Sequence, residues 1–229
     1  MDPSTKHCSI DLWFTLIKSN PVFKSKRALY FYEHINTKNK SLEEVEAIFR
    51  KVDLMCNAIN EKTGNNICAE EMYGMVIYLL NDSMLDYGKE RLTNLYEELE
   101  KLFFAFSPVL FNEQTLPTLE KLKKEKTLSI LSNTAFIKAS TLRKLLNNLN
   151  IEDYFSFQIY SDEVGFSKPN AAFFYLMLEQ ATVLHKGITV NEILHIGDNA
   201  IADIAGAKLL GINTFQINTN DKIIANIFD

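Results

Sequence analysis

The sequence predicts an α/β protein whose doubly wound parallel sheet is interrupted, after its first strand, by a block of helices. Three observations predict this. An apolar run, Ser9-Ile10-Asp11-Leu12-Trp13-Phe14-Thr15-Leu16-Ile17, reads as a strand with a carboxylate in it. Several consecutive helical stripes follow with no strand among them, which describes a small inserted helical domain. From Asn112 onward short apolar runs alternate with helical stripes, and strands alternating with helices imply a parallel sheet covered on both faces.

A carboxylate in an apolar run is costly to bury unless it is paired or bound to a cation, so Asp11 is expected at a strand's carboxyl end, where ligands bind in open α/β sheets. In the insert, Val22, Phe23, Tyr30, Phe31, His34 and Ile35 form an imperfect stripe after Pro21, a residue suited to a helix's first turn. Ser41 with Glu44 gives a capping box. Val45, Ile48, Phe49, Val52, Met55, Cys56 and Ile59 then share one face until Thr63-Gly64-Asn65-Asn66 breaks the helix. Met72 to Leu80 predicts a third helix ending near Asn81-Asp82-Ser83, and Lys89 to Phe106 a fourth, with Ser107-Pro108 as the exit. Lys24, Lys26 and Arg27, where the insert begins, are expected on a solvated helix face, with substrate contact as the alternative.

After the insert, Leu116, Leu119 and Leu122 mark a helix. Thr127–Leu131 is a short buried strand ending at Ser132-Asn133-Thr134, and Leu142, Leu145, Leu146 and Leu149 form the next helix. Phe155–Tyr160 reads as a strand, followed by a loop to Lys168 and a helix begun by Pro169. Glu192–Ile196 reads as a strand ending in Gly197-Asp198, with a helix from Ile204 to Gly211 and a last strand at Thr214–Ile217. His195 is expected to be a core or supporting residue.

The 229 residues, 47% hydrophobic, suffice for a full core, and 24 Lys plus Arg against 29 Asp plus Glu give a net charge of −5. Nothing global therefore draws the chain to nucleic acid or to an anionic membrane. Three irregularly spaced cysteines argue against a disulfide framework or a zinc site. The N-terminus has no signal-peptide pattern and no stretch is long enough to span a bilayer, so a cytoplasmic protein is expected.

In a parallel sheet the strand ends lie side by side, so Asp11, Ser132-Asn133, Lys168 and Asp198 with Asp203 should share one crevice. Carboxylates, a hydroxyl and an ammonium together suit Mg²⁺ and a phosphoryl group. At these motifs the sequence resembles the haloacid dehalogenase (HAD) superfamily: Ile10-Asp11-Leu12-Trp13-Phe14-Thr15-Leu16, Leu131-Ser132-Asn133, Gly165-Phe166-Ser167-Lys168-Pro169, and His195-Ile196-Gly197-Asp198 with Asp203. The resemblance implies a Rossmann-like core, residues 1–18 and 108–229, with residues 19–107 inserted as a type-one helical cap. It also implies that Asp11 is the nucleophile forming an aspartyl-phosphate, and that Asp11, the Trp13 carbonyl and Asp198 hold Mg²⁺. Ser132, Asn133 and Lys168 would bind the transferring group, and Asp203 would support them. Thr15 is expected to shape the turn.

One position departs from the family pattern. Its phosphatases usually carry a second aspartate where Trp13 stands, to protonate the leaving group and activate water, and an indole does neither. Three readings follow: a Mg²⁺-dependent phosphatase of small metabolites with good leaving groups or an acid from elsewhere; a carbon–halogen hydrolase; or a weakly active phosphate- or protein-binding module. The first is preferred, because Gly197-Asp198-Asn199 resembles the metal-binding members. Oligomeric state is not encoded legibly.

Overall fold

A computed structural model describes residues 2–82 and 88–229 of the chain. The expected helix end at Ser83 lies outside the described residues.

The first apolar run is not one strand. β1 (His7–Ile10) stops one residue before Asp11, and the chain turns through Phe14 at φ 57° into β2 (Ile17–Lys18). A left-handed φ is uncommon for a bulky residue. Here it is held by Phe14 N–H donating to Ile17 O (2.8 Å) and by Asn218 Nδ2 donating to Phe14 O (2.7 Å).

Four helices follow: α1 (Pro21–His34), α2 (Leu42–Thr63), α3 (Ala69–Leu80) and α4 (Lys89–Ala105). The capping box at Ser41 and Glu44 forms as the spacing predicts, and Gly64 ends α2 at φ 70°. The helices bury a cluster that includes Phe31, Phe49, Val52, Tyr73 and Tyr96, and Phe136 from the loop after β4 joins it. Phe136 lies 5.6 Å from Phe49 and 4.9 Å from Tyr73, ring centre to ring centre.

The insert is closed at its base by a two-residue strand that the sequence reading lacked. β3 (Val109–Leu110) pairs antiparallel with β2, so the chain leaves the core and returns to it through one small ribbon. The remainder runs α5 (Thr115–Lys123), β4 (Thr127–Ser132), α6 (Ala139–Asn148), β5 (Phe157–Tyr160), α7 (Ser161–Val164), α8 (Ala171–Leu184), β6 (Ile193–Gly197), α9 (Gly206–Lys208) and β7 (Asn213–Gln216). The five-stranded sheet is parallel throughout, in the order β5-β4-β1-β6-β7. Apolar side chains cover both faces, Leu119, Leu142 and Leu146 belonging to one cluster and Phe173, Phe174 and Met177 to another. The predicted doubly wound α/β class is the observed one.

Several boundaries differ from expectation. Glu192 ends a 3₁₀ turn, Val190–Glu192, whose capping box it completes with Thr189, so it does not open β6. Part of the loop before Lys168 is the short helix α7. Pro169 does not begin α8: Asn170 caps it, its Oδ1 accepting from Ala172 N–H at 2.9 Å. The helix expected from Ile204 to Gly211 starts earlier, as one π-helical turn, Ala200–Ala205, that passes into α9. Among the described residues no helix is long and apolar enough to cross a membrane.

Candidate active site

The sheet reverses its winding between β1 and β6, where a parallel α/β sheet opens a crevice at its carboxyl edge. Ile10 is level with Ile130 on β4 and with Ile196 on β6, and Asp11 N–H donates to Ile196 O at 2.9 Å. Asp11 therefore leaves the central strand at the level where β6 delivers Gly197 and Asp198. One oxygen of each of the carboxylates of Asp11, Asp198 and Asp203 can lie within 4.8 Å of the others.

Lys168 reaches this cluster from the loop after α7. Its Nζ lies 2.6 Å from Asp11 Oδ1, 2.6 Å from Asp203 Oδ1 and 2.7 Å from Leu131 O, and the side chain is fully buried. Asn133 pins the lysine's backbone from both sides, Oδ1 accepting from Lys168 N–H (2.8 Å) and Nδ2 donating to Lys168 O (3.0 Å). Thr15, expected only to shape the turn, donates its hydroxyl to Asp11 Oδ2 at 3.2 Å and so orients the nucleophile candidate.

Asp203 owes its place to the π turn, whose wider spacing directs it inward; Ile204 N–H reaches back five residues to Asn199 O. Asp203 then takes Lys168 on Oδ1 and Asn199 N–H on Oδ2 (3.0 Å), with His195 Nε2 3.2 Å from Oδ1. His195 in turn meets Ser9 Oγ at 3.0 Å, the supporting role the sequence suggested. Gly197 permits the arrangement, because a Cβ there would lie 2.3 Å from the Asp203 carboxyl carbon.

The electrostatics are unbalanced. Burial first, and the Lys168 ammonium against it, leave Asp11 raised to about 6. Asp198 is raised to about 7 by burial, then by Asp11 and Asp203. Asp203 is held well below the carboxylate range by Lys168 and His195, which outweigh its burial. Lys168 stays charged, its two carboxylates raising it against burial. One ammonium thus faces three carboxylates, and Asp198, which has no cation in contact among the described residues, carries the strain. Its donor set, hard oxygens with room for further ligands, fits a divalent cation such as Mg²⁺.

The other expected residues fall as follows. Trp13 is half-buried and lines the same cavity of about 660 Å³ as Asp11, Asn133, Lys168 and Asp198. Ser132 is fully buried at the end of β4, its hydroxyl donating to Asn133 O at 3.2 Å. Arg27 corrects the expectation of a solvated face: it is 7% exposed and lines the cavity from the helical side. Burial against Phe49 and Phe136 cannot be read from a local charge cluster.

Two contacts between insert and core have little local signal. The break after α2 docks on the lysine loop: Asn66 N–H donates to Gly165 O and Ser167 N–H to Gly64 O, each at 3.0 Å. Glu61 Oε1 accepts from Asn199 Nδ2 at 3.0 Å, beside Asp198.

Residues 6–211 match the haloacid dehalogenase-like hydrolase family, and the chain belongs to that family. Among curated relatives, it is 34% identical over 77 residues to the pyrimidine 5'-nucleotidase YjjG of Escherichia coli, covering 34% of this chain and 32% of the relative. It is 34% identical over 116 residues to the rhythmically expressed gene 2 protein of Drosophila melanogaster, covering 50% and 42%. The chain thus spans between about a third and a half of the length of these relatives. Among solved structures, the magnesium-bound HAD-hydrolase YfnB of Bacillus subtilis superimposes with a TM-score of 0.70 at 18% identity, covering 96% of this chain and 91% of that one. A 2-haloacid dehalogenase from Pseudomonas syringae gives 0.65 at 21% identity, covering 95% and 88%, and a HAD phosphatase from Thermococcus onnurineus 0.59 at 22%, covering 95% and 88%. At these identities the likeness is one of fold.

Proposed function

We propose that the chain is a Mg²⁺-dependent phosphatase of a small phosphorylated metabolite, acting through an aspartyl-phosphate at Asp11. The observation that carries this reading is the carboxylate cluster itself: oxygens of Asp11, Asp198 and Asp203 lie within 4.8 Å of one another at the strand ends, with Lys168 in contact with Asp11 and Asp203 but not with Asp198. On this reading residues 19–107 are the cap over a core of 1–18 and 108–229. Asp11, Asp198 and the Trp13 carbonyl would hold Mg²⁺, which when bound offsets charge on the transferring phosphoryl group.

The chain's own residues then divide the work. Thr15 and Lys168 fix the two oxygens of Asp11, so that its carboxylate is aimed and remains ionised at neutral pH. Asp11 attacks phosphorus, a P–O bond forming as the ester P–O bond breaks, and water later cleaves the acyl phosphate. Lys168 also lowers the repulsion between the carboxylate and the incoming anion. Asn133 holds Lys168 in register. Trp13 supplies no proton, so the leaving oxygen departs as an anion unless the substrate or a cap carboxylate protonates it.

A second reading, carbon–halogen hydrolysis, is favoured by the aromatic side chain of Trp13 in the cavity, since halide needs no proton. Asp198 opposes it, being a charge that chemistry does not use. Assays of p-nitrophenyl phosphate, glycerol phosphate and 2-chloropropionate with Mg²⁺ and with chelator separate the two. Aryl phosphate hydrolysis abolished by chelator is expected; haloacid turnover indifferent to chelator would overturn the proposal. Trp13→Asp should raise alkyl phosphate turnover more than aryl, and an equal gain would sink the missing-acid argument.

A further inference from the structure

The molecule buries two cations beside the same cavity and treats them differently. Lys168 has two carboxylates and a carbonyl within hydrogen-bond distance. Arg27, on α1, is 7% exposed and has no carboxylate in ion-pair contact among the described residues. What surrounds it is aromatic: its guanidinium carbon lies 4.3 Å from the ring centre of Phe49, 4.4 Å from Phe136 and 5.4 Å from Phe23. Among the described residues its Nε makes no hydrogen bond of acceptable geometry, and neither does the buried hydroxyl of Tyr73, which burial pushes up although the guanidinium lies close enough to oppose the shift.

A guanidinium keeps its charge at any physiological pH. Ring faces attract it but accept no N–H hydrogen bond of ordinary strength, so they recover only part of what water supplied. What the guanidinium lacks is a hydrogen-bond acceptor. The side from which it can come is the cavity, which Arg27 lines together with Asp11 and Asp198 and whose volume of about 660 Å³ suits a metabolite. Of the helical acids that line the same cavity, Glu61 is engaged by Asn199, and neither Glu46 nor Asp53 is in ion-pair contact with Arg27.

We infer that Arg27 is the docking group for a second anionic group, a carboxylate or a second phosphate, at the far end of the substrate from the phosphoryl group that meets Asp11. The inference rests on the phosphatase reading for the near end of the substrate only. The aromatic walls would exclude water from the pair and keep the guanidinium plane fixed, which favours two-point recognition of a carboxylate.

Trp13, the sole tryptophan, lines the cavity and reports binding by its fluorescence. In an Asp11→Asn background with Mg²⁺, 3-phosphoglycerate and glycerol 3-phosphate differ only in a carboxylate against a hydroxymethyl group. The acid is expected to bind about 10- to 100-fold tighter, the range of one charge-assisted contact. Arg27→Met should collapse that ratio to within about threefold of unity, and Arg27→Lys should leave an intermediate ratio. A ratio near one before any change at Arg27, or a ratio that survives Arg27→Met, overturns the inference. The phosphatase reading fails separately, by absence of Mg²⁺-dependent turnover of p-nitrophenyl phosphate in the unaltered enzyme. In that event glutarate replaces the phosphates: binding lost in Arg27→Met upholds the docking role, and equal binding overturns it.

Discussion

Asp198→Asn tests whether the carboxylate cluster is built around a missing positive charge. Without metal, burial and the neighbouring Asp11 and Asp203 raise Asp198 from 3.8 to about 7. A carboxyl whose folded value exceeds its unfolded value takes up a proton on folding between the two. Its contribution therefore turns against the folded state as pH rises from about 4 to about 7, and stays adverse above that. The full rise corresponds to about 4 kcal/mol. Asp198 is partly open to solvent, and screening reduces the expected cost to about 1–2 kcal/mol. Asparagine has the same shape and no charge. At pH 8 without metal the variant should then melt roughly 2–8 °C above the parent, with the gap narrowing at pH 5 and closing near pH 4. Mg²⁺ should reverse the order, because each tenfold excess over its dissociation constant adds about 1.4 kcal/mol to the parent and little to the variant. Thermal denaturation at the three pH values, with and without Mg²⁺, reads all of this. A variant less stable than the parent at pH 8 without metal, or equal Mg²⁺ gains in both, would refute the reasoning.

Other substitutions probe the supports. Gly197→Ala puts a Cβ 2.3 Å from the Asp203 carboxyl carbon, so Asp203 must leave Lys168 and His195; urea titration should show a loss of about 2–4 kcal/mol, and wild-type stability would count against the close approach. Lys168→Met strips the partner from Asp11 and Asp203 and should cost about 3–5 kcal/mol at pH 8, with turnover abolished. At pH 5, where Asp11 is protonated, that loss should be smaller; an equal loss at both values would argue against charge as its cause. His7, stacked on Phe157 and within 2.9 Å of Ser129 Oγ, is lowered to about 4, chiefly by burial. Its neutral form supports the fold, so stability should decline as pH falls from about 6.5 through 4. Its ring proton resonances should stay nearly constant down to about pH 5 and shift below that, and an inflection near 6.5 would show that the burial argument is wrong.

The sequence made legible what is encoded by neighbours along the chain. Asp11, Ser132-Asn133 and Asp198 are expected together because each follows a short apolar run and precedes a turn or helix signal, and a parallel sheet aligns such strand ends; Lys168, in the loop beyond β5 and α7, is expected there from its place in the motif Gly165-Phe166-Ser167-Lys168-Pro169. The capping box at Ser41 and Glu44 is local in the same way. The ribbon of β2 and β3 was hidden because two residues per strand carry no alternation. The π turn was hidden because one widened turn leaves no periodicity to detect, although it sets Asp203 against Lys168 and His195. Arg27 was misplaced for a third reason: Lys24 and Lys26 signal solvent, whereas Phe49 and Phe136 arrive from distant segments.

These hidden features lie on the boundary between insert and core, and that has a mechanical consequence. The break after α2 hydrogen-bonds the loop that carries Lys168, and the end of α2 reaches Asn199, the neighbour of Asp198. The helix that carries Glu61 also carries Phe49, against which Arg27 rests. A displacement of α2 that moves Arg27 in the cavity therefore also loads the backbone holding Lys168 and the turn holding Asp198. If Arg27 docks a ligand as proposed, its recognition and the alignment of Asp11 would be coupled through these hydrogen bonds, so substrates that leave Arg27 empty should lose turnover as well as affinity.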